Sequence, residues 1–138
     1  MKQVGSENEL RRQLATWLQL QYPNIIYRFD LAADLKLTVG QARKHKALHP
    51  HRGYPDLFIA EPRSCFHGMY VELKAEGKSP YKRNGELKSS EHLTEQAEFL
   101  KKLNCRGYFA GFATGFDEAK DQIEKYLNKE VRYAKKEA

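Results

Sequence analysis

Two short apolar runs separated by one loop constrain this chain more than any other feature. Leu57-Phe58-Ile59-Ala60 is rich in branched and aromatic residues. After a loop begun by Glu61-Pro62-Arg63-Ser64, Met69-Tyr70-Val71-Glu72-Leu73-Lys74 reads as the returning strand. Folded as an antiparallel hairpin with its loop centred near Ser64, the pair sets residue 56 opposite residue 72, since both lie eight positions from that centre. Directly opposed Cβ atoms are roughly 5 Å apart. Side chains alternate along a strand, so Val71 and Leu73 share one face while Glu72 and Lys74 share the other.

Asp56 and Glu72 held at that distance repel unless positive charge lies between them. A hard divalent cation with oxygen ligands, Mg²⁺ or Mn²⁺, is the natural occupant, and the backbone carbonyl of Leu73 offers a third oxygen. Such a group suits phosphodiester hydrolysis, because a metal acidifies water and neutralises phosphate charge. Lys74 has three open roles there. It can orient the attacking water, accept its proton if the nearby metal depresses its pKa, or stabilise the pentavalent state. The triplet alone does not decide the matter, since an alternating E-x-K is also what a half-exposed strand looks like.

Three features add weight. Asp56 sits between Pro55 and the start of a strand, a rigid place for a decorative acid. Glu7 extends the apolar stripe of the first helix, three residues before Leu10 and seven before Leu14. It reads equally as an acid at the first helical position, favoured by the helix dipole. The third feature is the distribution of charge. The formal net charge is +6; residues 36–52 carry +5 with no acid, residues 53–73 carry −2, residues 74–90 carry +3, and both ends sum to zero. Five cations and three histidines without an acid in 36–52 are more economically explained by a polyanionic partner than by an ordinary mixed surface.

The remaining pattern predicts one mixed α/β domain, in the order α-β-(α)-β-β-α-β-α, with its core over about residues 6–128. Ser6 and Glu9 form a capping box for a helix over about 6–21, closed by Pro23. Ile25–Phe29 reads as a strand. Thr38 with Gln41 opens a short basic helix over about 39–48, ended by Pro50. Residues 75–90 read as a mobile cationic loop without strand or helix. Ser90 or Thr94 caps a helix with Leu93, Ala97, Leu100 and Leu103 on one face. Gly107–Ala113 is a strand, and Thr114 caps a last helix with Phe116, Ala119, Ile123 and Leu127 inward. The charged tail, 129–138, is expected to fray. Trp17, Phe109 and Phe112 read as core, Tyr81 as an ordinary loop residue, and His45, His49 and His51 as surface residues or phosphate contacts. At 12% aromatic the chain is not disordered, and it has no run long enough for a membrane span. No apolar h-region follows Met1, and Cys65 and Cys105 lie far apart without a CxxC, which together suit a reducing cytoplasm of a bacterial or phage-infected cell.

Gly53-Tyr54-Pro55-Asp56-Leu57, then Val71-Glu72-Leu73-Lys74, then Gln96 with Leu100, Leu103 and Gly107, in that order, resemble the VRR-NUC (virus-type replication-repair nuclease) domain of the PD-(D/E)XK, restriction-endonuclease-like superfamily. Gly40-Gln41-Ala42-Arg43 also resembles the family's G-x-x-R segment. The resemblance spans about residues 6–128. It implies a mixed central sheet flanked by helices and a divalent-metal nuclease acting on DNA. It also implies that Asp56 and Glu72 ligate the metal, Lys74 is the catalytic lysine, Gln96 lies beside the site, and Glu7, or else Glu9, supplies the helix-one carboxylate. The basic loop 75–90, between E-x-K and the Gln helix, departs from the family pattern.

The expectation is therefore a Mg²⁺- or Mn²⁺-dependent endonuclease of branched DNA, four-way (Holliday) junctions first, acting as a homodimer because a symmetric junction needs two cuts. Arg43, Lys44, Lys46, Arg52, Lys78, Lys82, Arg83 and Lys88 are its expected phosphate contacts. Two other readings stay open: a non-catalytic nucleic-acid-binding module, and a metal-dependent phosphodiesterase acting on flaps, single strands or RNA.

Overall fold

The computed structural model describes residues 6–30 and 36–131. Its elements are α1 (Glu7–Gln21), β1 (Tyr27–Phe29), α2 (Val39–Leu48), β2 (Leu57–Ile59), β3 (Met69–Lys74), α3 (Glu91–Cys105), β4 (Phe109–Thr114) and α4 (Gly115–Leu127). The four strands form one sheet in chain order. β1 and β2 are antiparallel, as are β2 and β3, whereas β3 and β4 are parallel and joined through α3. Parallel neighbours need such a crossover. This is the restriction-endonuclease-like arrangement of a mixed sheet flanked by helices.

The hairpin register follows the sequence spacing. Leu57 pairs with Val71 and Ile59 with Met69, so the next step outward sets Asp56 against Glu72. Ser64, at the centre, takes the left-handed backbone that the reversal demands, with φ of 52°. The odd-numbered side chains of β2 and β3, Leu57, Ile59, Met69, Val71 and Leu73, pack under Leu14, Leu18, Ile123 and Tyr126 of α1 and α4 as one core. Each such aliphatic contributes about 2 kcal/mol on burial.

The even-numbered face is not the half-exposed one that an alternating E-x-K also allows: Glu72 and Lys74 are 4% and 9% exposed, and Gln96 of α3 packs on Lys74. Segment 75–90 has no regular element, as expected, yet it is folded on itself. Tyr81 and Leu87 form an antiparallel bridge, Lys88 N–H donates to the Pro80 carbonyl at 2.8 Å, and Pro80 is fully buried. The start of the tail is also tied down: Ser64 N–H donates to the Glu130 carbonyl at 2.7 Å, and Val131 bridges Arg63. The rest of the tail, 132–138, lies outside the described residues, as do 1–5 and 31–35.

The caps largely follow the sequence. Ser6 Oγ accepts from Glu9 N–H at 3.2 Å, and Thr38 and Gln41 make both halves of a capping box. Ser90, rather than Thr94, caps α3. Thr114 stands at the head of α4, but its side chain makes no capping bond; its N–H donates to the Glu118 carboxylate instead. α2 buries none of its residues. A helix of ten residues without a packed face depends on its caps. No helix among the described residues is long and apolar enough to cross a membrane.

Candidate active site

The site forms where α1, the start of β2, β3 and α3 meet. Pro55 is buried, and the Asp56 carbonyl accepts from Asp30 N–H at 2.8 Å, which fixes the backbone at the strand entry. Asp56 Oδ2 then accepts from Leu73 N–H at 2.9 Å, and Asp56 Oδ1 accepts from Arg11 Nη2 at 2.6 Å. The Glu72 carboxyl hydrogen-bonds the same aspartate. In an antiparallel pair the N–H and C=O of one residue lie on the same edge, so the Leu73 carbonyl also lies on the Asp56 side.

Two buried carboxylates in contact cannot both ionise cheaply. Burial by itself would raise the Asp56 pKa, but the hydrogen bonds from Glu72, Arg11 and Leu73 and the Arg11 charge hold it below the ordinary carboxylate value. Glu72 therefore carries the proton. Burial first, then the hydrogen bond and charge of Asp56, push its carboxyl up to about 10, against the opposing pull of Lys74.

Lys74 Nζ donates to Gln96 Oε1 at 2.7 Å and stands 5.8 Å from the centroid of the Phe112 ring. Gln96 is buried in the second turn of α3, and its Nε2 lies 3.2 Å from His92 Nε2. Gly53 makes this approach possible. Its φ is +77°, and a Cβ there would stand 2.9 Å from the Glu95 carbonyl oxygen and 3.1 Å from Gln96 Cα. Gly53→Ala is expected to destabilise the fold by about 2 kcal/mol through the left-handed φ and the backbone collision. Urea unfolding measures this; an unchanged midpoint would contradict the close packing of the 53 turn on α3.

Of the sequence-expected residues, Asp56, Glu72, Lys74 and Gln96 are brought together. Glu7 borders them: its Oε2 is 3.9 Å from Arg11 Nη2, and its charge reaches Glu72. Glu9 lies elsewhere, lining a shallow cavity of about 710 Å³ with Arg12, Trp17, Leu20 and Phe116. Arg43, Lys44, Lys46, Arg52, Lys78, Lys82, Arg83 and Lys88 are all exposed. Arg52 pairs with Glu95 at 3.3 Å, beside Gln96. His45 and His49 stack, with ring centroids 4.5 Å apart. Arg11 was not among the expected site residues, although 7, 11, 14 and 18 share one helical stripe, and an arginine on the apolar side is its own signal.

Among the described residues no three His, Cys, Asp or Glu side chains gather as a ready-made metal cluster. The donor set is the Asp56–Glu72 pair. It still suits Mg²⁺ or Mn²⁺, which commonly bind through one or two carboxylates and keep solvent or substrate oxygens in their remaining positions. Burial and the neighbouring Asp56, which push the Glu72 carboxyl up, mark where positive charge is wanted.

No protein-family model matches the chain, and no curated protein does either. A solved structure described as a "VRR_NUC domain protein" does: 25% of residues are identical, the match covers 95% of this chain and 94% of that one, and the TM-score is 0.65. The likeness is thus one of whole architecture, and it reaches from the first helix to the last.

Proposed function

This chain carries a VRR-NUC domain, a nuclease-family fold, and on that premise we propose that it is a divalent-metal-dependent endonuclease of branched DNA. The observation that supports this reading most is the buried Asp56–Glu72 pair with Lys74 on the same strand face. Asp56 and Glu72, with the Leu73 carbonyl and Glu7 further out, would hold Mg²⁺ or Mn²⁺. When bound, the ion acidifies water and offsets phosphate charge. Glu72 would ligate as the carboxylate, its proton passing to solvent. Lys74, steadied by Gln96, turns its ammonium toward the phosphoryl oxygens and stabilises the charge that builds there.

Around this centre, Arg43, Lys44 and Lys46 of α2, Arg52, and Lys78, Lys82, Arg83 and Lys88 of the loop grip phosphates. Such contacts carry affinity without sequence information and weaken steeply with salt. Two cuts in a four-way junction call for two copies of this single site, so the working form is a two-fold dimer.

The test is cleavage of labelled four-way junction, flap, duplex and single-stranded DNA in Mg²⁺, Mn²⁺ and EDTA. Branched DNA should be cut in either metal and untouched in EDTA. Asp56→Asn and Lys74→Ala should each slow cleavage by about a thousandfold. If wild type cuts nothing in any metal, or Lys74→Ala keeps pace with it, the reading is wrong. Binding without cleavage would point instead to a non-catalytic module.

A further inference from the structure

Next to the carboxylates the same sheet face carries an aromatic row. Arg28 pairs with Phe58 across β1 and β2, and Phe58 with Tyr70 across β2 and β3. Phe58 and Tyr70 share their strand faces with Asp56 and Glu72 and lie one side-chain repeat away, about 6–7 Å along the strand. The Phe58 and Tyr70 rings stack with centroids 4.5 Å apart. Tyr54 stands edge-on to Tyr70 at 5.7 Å, donates its hydroxyl to the Tyr70 oxygen at 3.2 Å, and remains 45% exposed. Together with Arg28, His49 and Asp56 these rings line a cavity of about 220 Å³. It adjoins a second one, of about 410 Å³, which shares Tyr54 and His49 and runs to His45 and His51.

We propose that the smaller cavity receives one unpaired nucleobase next to the scissile phosphate, with the Tyr54 ring as its stacking surface. At about 220 Å³ it has room for a single base. Asp56 itself lines the cavity, so a base seated there lies beside the carboxylate pair. Aromatic rings accept any base on their π-face, and Arg28 adds a cation beside it. The neighbouring cavity leads the strand toward the cations of α2. The site thus reads unpaired DNA at a branch, not sequence. This inference rests on the nuclease reading and names what that nuclease recognises.

The test uses four-way junctions and flaps that carry a single 2-aminopurine at successive positions flanking the branch, bound in Ca²⁺. At one position the probe should be quenched by wild type and by Tyr54→Phe, which keeps the ring, and bright with Tyr54→Leu, which removes it. An abasic site at that position should weaken wild-type binding about tenfold, an arm that needs no protein variant should Tyr54→Leu fail to fold. A probe signal equal in wild type and a folded Tyr54→Leu, or an abasic site without effect at every position, overturns the proposal. Cleavage in Mn²⁺ with a Tyr54-independent signal sinks the base pocket and leaves the nuclease. A Tyr54-dependent signal without cleavage does the reverse.

Discussion

Glu72→Gln is expected to slow cleavage by at least a hundredfold and, in EDTA, to make the protein more stable than wild type above neutral pH. Both effects come from one proton. In the folded chain the Glu72 carboxyl is raised from 4.5 to about 10 by burial and by Asp56. A carboxyl held tighter in the folded state stabilises fully below its unfolded pKa, and that stabilisation is lost as pH climbs toward the folded value. Wild type should therefore lose up to about 1.4 kcal/mol per pH unit between about pH 5 and 10. Glutamine keeps a donor facing Asp56 at every pH, so this slope should vanish in Glu72→Gln. On the proposed reading it also removes the second negative ligand, so divalent binding and cleavage should fall with it. Urea unfolding in EDTA at several pH values measures the slope; equal slopes in the two proteins would show that Glu72 does not hold the proton. Two carboxylates held in contact in the metal-free chain are a stability cost.

Arg11→Met is expected to destabilise the metal-free protein by about 3 kcal/mol. Arg11 is 4% exposed and bonds Asp56 at 2.6 Å, so its guanidinium is the buried cation that keeps Asp56 ionised. Methionine retains the volume and the apolar stem, which separates the loss of charge from a loss of packing. The destabilisation should shrink when Mn²⁺ is added, because the ion supplies the missing charge and stabilises whatever state binds it. Unfolding midpoints with and without Mn²⁺ check this. A variant as stable as wild type in EDTA would remove Arg11 from the account of the site; one that Mn²⁺ fails to recover would separate Arg11 from the metal.

Much of the arrangement was legible along the chain because it depends on local rules. The 56–72 opposition needed only strand periodicity and a loop centre, and β2 and β3 pair in that register. Thr38 and Gln41 marked the start of α2 through capping chemistry alone. Gln96 could be placed near the site only by the family resemblance, since nothing in its own neighbourhood says that α3 lies over β3. Arg11 escaped for a related reason. Its stripe position is visible, but the carboxylate it meets is 45 residues away. The folding of 75–90 escaped too, because a polar, glycine-containing composition does not reveal that Pro80 is buried or that Tyr81 stands edge-on to Phe112 at 5.9 Å.

The sequence by itself determined the order of elements, the hairpin register, the pairing of an acid before β2 with an acid on β3, and the two cationic segments around them. These follow from periodicity, turns and charge, which act over a few residues. Only the tertiary structure decided that Glu72 and Lys74 are buried rather than half-exposed, that Arg11 is the counter-charge of Asp56, and that Glu7 rather than Glu9 borders the pair. It alone set an aromatic cavity beside the carboxylates. Each of these depends on how α1 and α3 dock on opposite faces of the sheet, and docking sums contacts between residues far apart in the chain. Burial then gives the charged residues their chemistry: the same acid pair on an open strand would stay solvated, and Glu72 would have no reason to hold a proton.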